Sequence, residues 1–193
     1  FLTACPTNLG TGLRASAMLH LPGLVLVEEM EKVVRAVSQD GLVVRGWFGE
    51  GSEASGSIFQ ISNQYTLGAA EEQILAHLQR WLDSIIEQEQ NARLRLLEKD
   101  PHAFLDRIAR AHGTLRHAHL LTSVEAMNLL SLMRLACDLK MLPEEQRVHF
   151  DRLIIEGQPA HIQATAQHPL DSLARDLRRA AAFREYFEKL PAP

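Results

Sequence analysis

Two segments in the first fifty residues carry residue types that suit the binding of a phosphate chain and a guanidinium group. Gly10 and Gly12 allow the main chain to approach a ligand closely, and Arg14 adds a planar, five-donor side chain that matches phosphate oxygens. Arg45 and Glu50 stand together in a second glycine-rich loop. Phosphoryl transfer to a guanidine requires cations around the phosphoryl group and a carboxylate beside the guanidinium. The combination indicates such a site, although each arginine alone is more typical of a surface ion pair.

A third group of charged residues lies near the end of the chain. Arg175 and Arg179 are four residues apart and share one face of a helix, and Asp176 lies three residues before Arg179. The guanidinium groups can donate charge-assisted hydrogen bonds to phosphoryl oxygens, while the carboxylate can accept from a guanidinium. Together they suit a ligand that carries both an anionic group and a guanidinium. The residues alone leave open the alternative of a solvated helix face with an Asp–Arg pair.

The first two segments are predicted to lie between short strands. Nine of the eleven glycines fall in residues 1–68, which is typical of strands joined by tight loops. Apolar residues within 24–37 recur at helical spacing, and Gly41 follows as a stop signal. Three runs have the composition of strands, namely 13–21, 42–48 and 57–62. The pattern predicts an α+β front unit.

From residue 69 onward the apolar residues follow helical spacing. A long helix is predicted to continue until Asp100-Pro101 breaks it, because a residue before proline disfavours the helical conformation. Thr122 or Ser123 is a candidate N-cap for a later helix. The further helices are predicted at 101–111, 122–140, 144–156, 159–167 and 170–188. The second part of the chain is therefore predicted to be an all-α domain.

Composition excludes several classes of function. The net charge of −4 gives no electrostatic case for nucleic acid or an anionic membrane surface, and the longest apolar run, 21–27, is too short to span a bilayer. Two cysteines make no disulfide framework, so we expect a reduced, cytoplasmic protein. The chain starts at Phe1 within a strand-like run and without an initiator Met, so we expect residues upstream.

Four motifs in the first part occur in the order found in the ATP:guanidino phosphotransferases. The string Cys-Pro-Thr-Asn-Leu-Gly-Thr-Gly-Leu-Arg at 5–14 resembles the signature of creatine and arginine kinases. It is followed by Arg-Gly-x-x-Gly-Glu at 45–50, Ile-Ser-Asn at 61–63 and Leu-Gly at 67–68. The resemblance covers roughly residues 1–90. It implies part of the antiparallel sheet of guanidino kinases, with flanking helices.

The resemblance also implies roles for individual residues. Cys5 and Glu50 would be catalytic, as the thiol and the carboxylate beside the substrate guanidinium. Mg²⁺ is expected on the ATP phosphates, with no metal ligand from this chain. Met18 stands where creatine kinases have a histidine, so that contact is not implied. The residues that would bind ATP are Arg14, Ala15, Ser16, Ala17, Met18, Arg45, Gly46, Trp47, Phe48, Gly49 and Glu50.

The second part resembles the C-terminal domain of bacterial protein-arginine kinases. The resemblance is carried by Gln-Pro-Ala-His-Ile-Gln at 158–163 and by Arg-Asp-Leu-Arg-Arg-Ala at 175–180. It implies a catalytic domain over 1–90 and a helical, dimer-forming domain over 91–193. It further implies protein substrates with exposed arginine, a stress-response role and delivery to a Clp-type unfoldase and protease. The implied allosteric pocket for phosphoarginine consists of Arg175, Asp176, Arg179 and Ala180.

Two other functions remain open from the sequence. One is a non-catalytic module that binds phosphoarginine and dimerises, and the other is a metabolite guanidino kinase with an unrelated helical tail. The family's catalytic Glu and further phosphate-binding arginines belong to its earlier half, which this sequence does not contain. We therefore expect the 193-residue chain alone to have no appreciable kinase activity, since phosphoryl transfer depends on positioning groups.

Overall fold

The computed structural model describes residues 9–47 and 55–191, and it divides the chain into two compact units. The first unit ends at Lys99 and the second begins at Asp100. The first contains a small antiparallel sheet with flanking helices, and the described part of the second is helical. The predicted α+β class is therefore confirmed. The predicted domain limit at 90/91 falls inside a continuous helix that ends at Lys99.

The described part of the first unit contains three strands, β1 (Ser16–His20), β2 (Leu42–Gly46) and β3 (Ile58–Asn63). They form an antiparallel sheet in the order β1-β3-β2, so β3 pairs with both neighbours. The strand predicted over 13–21 is shorter, because the residues before Ser16 belong to the preceding loop. A short 3₁₀ turn, Ser55–Ser57, precedes β3.

Two helices replace the single helix predicted over 24–37. These are α1 (Pro22–Leu26) and α2 (Met30–Gln39). Between them Glu28 adopts φ 60°, in the left-handed region, which interrupts the helical hydrogen bonds. The periodicity therefore predicted the buried face correctly but not the break. Both helices contribute to the core, through residues such as Leu24, Val33 and Val37.

The core of the first unit lies between one face of the sheet and the helices. The long helix α3 (Glu71–Lys99) contributes Leu78, Ile85 and Ala92 to the hydrophobic cluster that also contains Phe59 and Ile61 of β3. These residues recur at helical spacing along α3 and at alternate positions in β3, as expected for a stripe that meets one sheet face. The residues at the intervening positions of the strands therefore face the opposite side of the sheet.

Residues 100–191 of the second unit form five helices: α4 (Pro101–His117), α5 (Ser123–Asp138), α6 (Gln146–Glu156), α7 (Pro159–Ala164) and α8 (Ser172–Glu188). Side chains cap three of them, since Asp100, Thr122 and Asp171 each accept a hydrogen bond from a main-chain N–H in the first turn. The cap of α5 is therefore Thr122 rather than Ser123. Helix α4 extends past the predicted residue 111. Within residues 9–47 and 55–191, no helix combines the length and apolar content of a membrane span.

Candidate functional site

The candidate nucleotide site is the face of the sheet opposite α3. The strand register pairs Met18 with Gln60 and Gln60 with Arg45, so these three side chains form one row across the sheet. Met18 is 52% exposed, Arg45 is partly buried, and Gln60 lies between them. In the neighbouring row, Ser16 is exposed and its hydroxyl accepts from Gln60 Nε2 at 3.1 Å. From the described residues, this face therefore offers the Arg45 guanidinium and the neutral hydrogen-bonding groups of Ser16 and Gln60.

The loop before β1 presents Arg14 next to this face. Arg14 is exposed and follows Gly10 (φ 87°) and Gly12 (φ 69°), whose left-handed conformations L-residues rarely adopt. A Cβ atom on Gly10 would come within 2.3 Å of the Thr66 carbonyl oxygen, so glycine is required for this close approach. The glycines that the sequence suggested as ligand contacts thus have a clear structural purpose, which is to fold the loop that carries Arg14.

The strand alternation separates the predicted ATP-binding residues into two sets. Ser16 and Met18 lie on the open face, whereas Ala17 pairs with the fully buried Ile61 on the core face. Ala15 packs against the hydrophobic core, and its main-chain N–H and C=O are both hydrogen-bonded to Asn63. The side chains of Ala15 and Ala17 therefore do not line this face, and their predicted role in ATP binding stays a prediction.

Several predicted site residues lie outside the described part of the chain. Cys5, Phe48, Gly49 and Glu50 are in this group, so their predicted roles stay predictions. Gly46 is the last residue of β2 and pairs with Phe59, and Trp47 is the last residue of the described range 9–47.

Two polar residues at the candidate site had no role assigned from the sequence. Gln60 lies between Met18 and Arg45, and Asn63 holds the loop around Arg14. Asn63 is part of the Ile-Ser-Asn motif at 61–63, and the resemblance that identified this motif gave Asn63 no chemical role. Gln60 could have been found only from the strand register, because its importance comes from its neighbours on other strands.

The second candidate site lies on helix α8 of the helical unit. Arg179 is 1% exposed, although its helix position was compatible with a solvated face. Its Nε donates to the Gly157 carbonyl at 2.6 Å, and its Nη1 donates to the Leu121 carbonyl at 2.7 Å and to Asp176 Oδ1 at 2.6 Å. A direct contact of Arg179 with a phosphoryl group would therefore compete with hydrogen bonds that already hold the unit together.

The other three residues of the predicted phosphoarginine pocket differ in accessibility. Arg175 is partly exposed and donates to the Leu170 carbonyl at 2.8 Å. The Asp176 side chain is 20% exposed and forms the ion pair with Arg179. Ala180 is buried. The structure thus brings Asp176 and Arg179 into direct contact, whereas Arg175 donates to a carbonyl of the loop before α8.

His112 is buried. Its ring meets Phe187 edge to face at a centroid distance of 5.7 Å, and burial lowers the pKa of His112 below its usual value. His117 and His119 are exposed. Among the residues that the structure describes, no three His, Cys, Asp or Glu side chains gather as a metal site.

Both units match known families. Residues 1–92 match the family described as "ATP:guanido phosphotransferase, C-terminal catalytic domain". Residues 101–193 match the "Protein-arginine kinase McsB C-terminal domain". The small antiparallel sheet with its exposed Arg14 and the helical unit with its Arg-Asp motif together define an ATP:guanido phosphotransferase domain followed by a helical C-terminal domain.

Curated relatives agree with this assignment. A protein-arginine kinase of Symbiobacterium thermophilum is 48% identical over 184 residues, which cover 95% of this chain and 52% of that protein. Protein-arginine kinases of Syntrophomonas wolfei and Bacillus cereus strain AH187 are each 45% identical over 185 residues, or 96% of this chain and 52% of theirs. The chain belongs to the protein-arginine kinase family, and it spans about half the length of these relatives.

Proposed function

We propose that this chain supplies the nucleotide-binding face and the phosphoarginine-binding domain of a protein-arginine kinase. Such a kinase transfers the γ-phosphoryl group of ATP to arginine side chains of proteins. The observation that carries the proposal is the presence, in one chain, of a guanido phosphotransferase domain and a protein-arginine kinase C-terminal domain. A metabolite kinase would need only the first of these.

In the proposed reaction, Arg14 and Arg45 bind the phosphate oxygens of ATP beside the open sheet face. Their positive charge would stabilise the phosphoryl group as it moves between oxygen and nitrogen. A guanidinium nitrogen forms the new P–N bond, the bond from the γ-phosphorus to the β–γ bridging oxygen breaks, and ADP leaves. Glu50 would orient the guanidinium and accept its proton, with Cys5 nearby. Mg²⁺ would be bound on the nucleotide phosphates.

A kinase assay on the full-length enzyme tests this proposal. Arg14→Ala should lower the rate of arginine phosphorylation of an unfolded protein substrate by about 100-fold, because such a group stabilises transition-state charge. Glu50→Ala should lower it at least as much. The product is quantified as phosphoarginine by mass spectrometry. Arg35→Ala is the matched control, since Arg35 is an exposed arginine of the same unit that pairs with Glu31. Wild-type rates in Arg14→Ala would refute the assigned nucleotide site.

The helical unit is proposed to bind phosphoarginine as a docking and allosteric ligand. Of the two arginines of the proposed pocket, Arg175 is partly exposed and therefore accessible to a phosphoryl group, and Asp176 can accept from the ligand guanidinium. Arg179 would act mainly by holding Asp176 in place. Helix spacing suggested the same role for Arg175 and Arg179, namely contact with the phosphoryl oxygens. In this proposal only Arg175 makes that contact.

Calorimetric titration of the chain with free phosphoarginine tests the helical site, and titrations with arginine and with phosphoserine serve as controls. Arg175→Ala should weaken binding by about 10- to 100-fold, because a hydrogen bond to a charged group contributes about 1.5–3 kcal/mol. Arg178→Ala should bind like the wild type, since Arg178 is an exposed arginine on the same helix and outside the proposed pocket. Equal affinity for phosphoarginine and arginine would remove the case for a phosphoarginine reader.

We further propose the partners that the resemblance implies. These are protein substrates with exposed arginine, a Clp-type unfoldase and protease that degrades the marked proteins, and a second copy of the chain in a homodimer. The setting would be the cytoplasm during a stress response. The family membership supports these assignments.

A further inference from the structure

We propose that Asn63 is a positioning residue for the nucleotide site and that it acts by fixing the main chain on both sides of Arg14. The inference rests on the proposed role of Arg14 in ATP binding and adds a residue that does not itself touch the nucleotide. It follows from the hydrogen bonds of a single amide side chain at the end of β3.

The Asn63 side chain connects three main-chain groups. Its Oδ1 accepts from the Ala15 N–H at 2.8 Å, and its Nδ2 donates to the carbonyl oxygens of Leu13 at 2.9 Å and Tyr65 at 3.3 Å. The Asn63 main-chain N–H also donates to the Ala15 carbonyl at 3.3 Å. Leu13 and Ala15 are the immediate neighbours of Arg14. The residue before Arg14 and the residue after it are therefore both attached to Asn63.

The attachment is needed because the β-ladder does not reach the loop. The pairing of β1 with β3 ends at Ser16 and Ser62, so Arg14 lies two residues beyond the last ladder pair. Each residue that must be ordered costs about 1–2 kcal/mol of conformational entropy. Hydrogen bonds from Asn63 order this stretch in the free protein, so nucleotide binding does not have to supply that free energy.

A second contact between the same two segments supports this interpretation. The Thr66 hydroxyl donates to the Leu9 carbonyl, and Gly10 packs directly on the Thr66 and Leu67 main chain. Residues 63–66 thus hold the loop at both ends, with Asn63 at the end that carries Arg14. Asparagine suits this position because one side chain must both donate and accept. Aspartate at neutral pH can accept from Ala15 but cannot donate to Leu13 or Tyr65.

A double-mutant cycle in the full-length enzyme tests the inference. We expect Asn63→Ala to raise the dissociation constant for ADP and the KM for ATP by about 10-fold, with the KM for the protein substrate unchanged. Arg14→Ala should raise the nucleotide constants by about 100-fold. If Asn63 acts through Arg14, the double variant should bind nucleotide as weakly as Arg14→Ala alone, since neighbouring residues that act together are not additive. Asn91→Ala, an exposed asparagine of α3, should match the wild type.

The outcomes distinguish the inference from the function on which it rests. Wild-type ADP affinity in Asn63→Ala, or full additivity in the double variant, would overturn the positioning role while Arg14→Ala still supports the nucleotide site. Wild-type affinity in Arg14→Ala would overturn both. Should Asn63→Ala fail to fold, Asn63→Asp provides the same comparison, because it keeps the acceptor and loses both donors. A roughly 10-fold weaker affinity in that variant supports the inference, and wild-type affinity contradicts it.

Discussion

Replacing Glu89 by alanine should destabilise the first unit by about 3–5 kcal/mol, the range observed when one partner of a buried ion pair is removed. Glu89 is 4% exposed and lies in the middle of α3. Its Oε1 and Oε2 accept from the main-chain N–H groups of Gly23 and Leu24, each at 2.8 Å, and Arg93 Nε donates to Oε1 at 2.6 Å. Those N–H groups belong to the first turn of α1, which has no intrahelical acceptors for them.

The size of the effect follows from the several interactions lost together. Alanine would remove a charged acceptor from two buried main-chain donors and from a guanidinium whose side chain is only 17% exposed. Since domains are stable by only about 5–15 kcal/mol in total, a loss of this size approaches unfolding. Glu89→Gln should cost less, because its remaining oxygen can still accept from one of the two N–H groups.

Tryptophan fluorescence during urea unfolding measures this prediction selectively. Both tryptophans of the chain, Trp47 and Trp81, belong to the first unit, and Trp81 packs against its core. Glu87→Ala is the matched control, because Glu87 is an exposed glutamate on the same helix. We expect its unfolding midpoint to stay near that of the wild type. The prediction would be contradicted if the unfolding midpoint of Glu89→Ala were equally close to that of the wild type. In that case water would replace the carboxylate without loss of stability.

The helical spacing of apolar residues was enough to predict most of the fold. It predicted a long helix up to Asp100-Pro101, which is α3, and apolar residues of that helix such as Leu78 and Ile85 are buried. It missed the break at Glu28, because a single left-handed residue leaves the apolar periodicity almost unchanged. Glu89 carried a signal that went unused, since it stands on the buried stripe four residues after Ile85. A charged residue in such a stripe indicates a buried partner.

The candidate sites depended on information that spacing does not contain. Helix geometry places Arg175 and Arg179 on related positions of α8, but only the surrounding loops make Arg179 buried and Arg175 accessible. In the sheet, the row formed by Met18, Gln60 and Arg45 comes from strand register, which pairs Gln60 with Met18, 42 positions earlier, and with Arg45, 15 positions earlier. Local sequence specifies the strands, whereas their pairing is a tertiary property.

Replacing Arg179 by methionine should destabilise the helical unit by about 3–5 kcal/mol, although helix spacing suggested a ligand contact. The guanidinium joins α8 to the Gly157 carbonyl after α6 and to the Leu121 carbonyl before α5. Methionine fills a similar volume but would leave two buried carbonyls without this donor and Asp176 without this counter-ion. Arg179→Lys should also be costly, because a single ammonium cannot reproduce the planar fork that serves these separated acceptors.

Amide hydrogen exchange measured by mass spectrometry localises the effect of Arg179→Met. Peptides from α5, α6 and α8 should exchange faster, while peptides from the sheet of the first unit should keep the wild-type rate. Arg178→Met is the matched control, since the neighbouring arginine is exposed on the same helix. Unchanged protection in Arg179→Met would contradict the structural role. Loss of phosphoarginine binding in an Arg179 variant therefore indicates a ligand contact only when protection from amide exchange is retained. Arg175→Ala alters a partly exposed side chain and so tests ligand contact more directly.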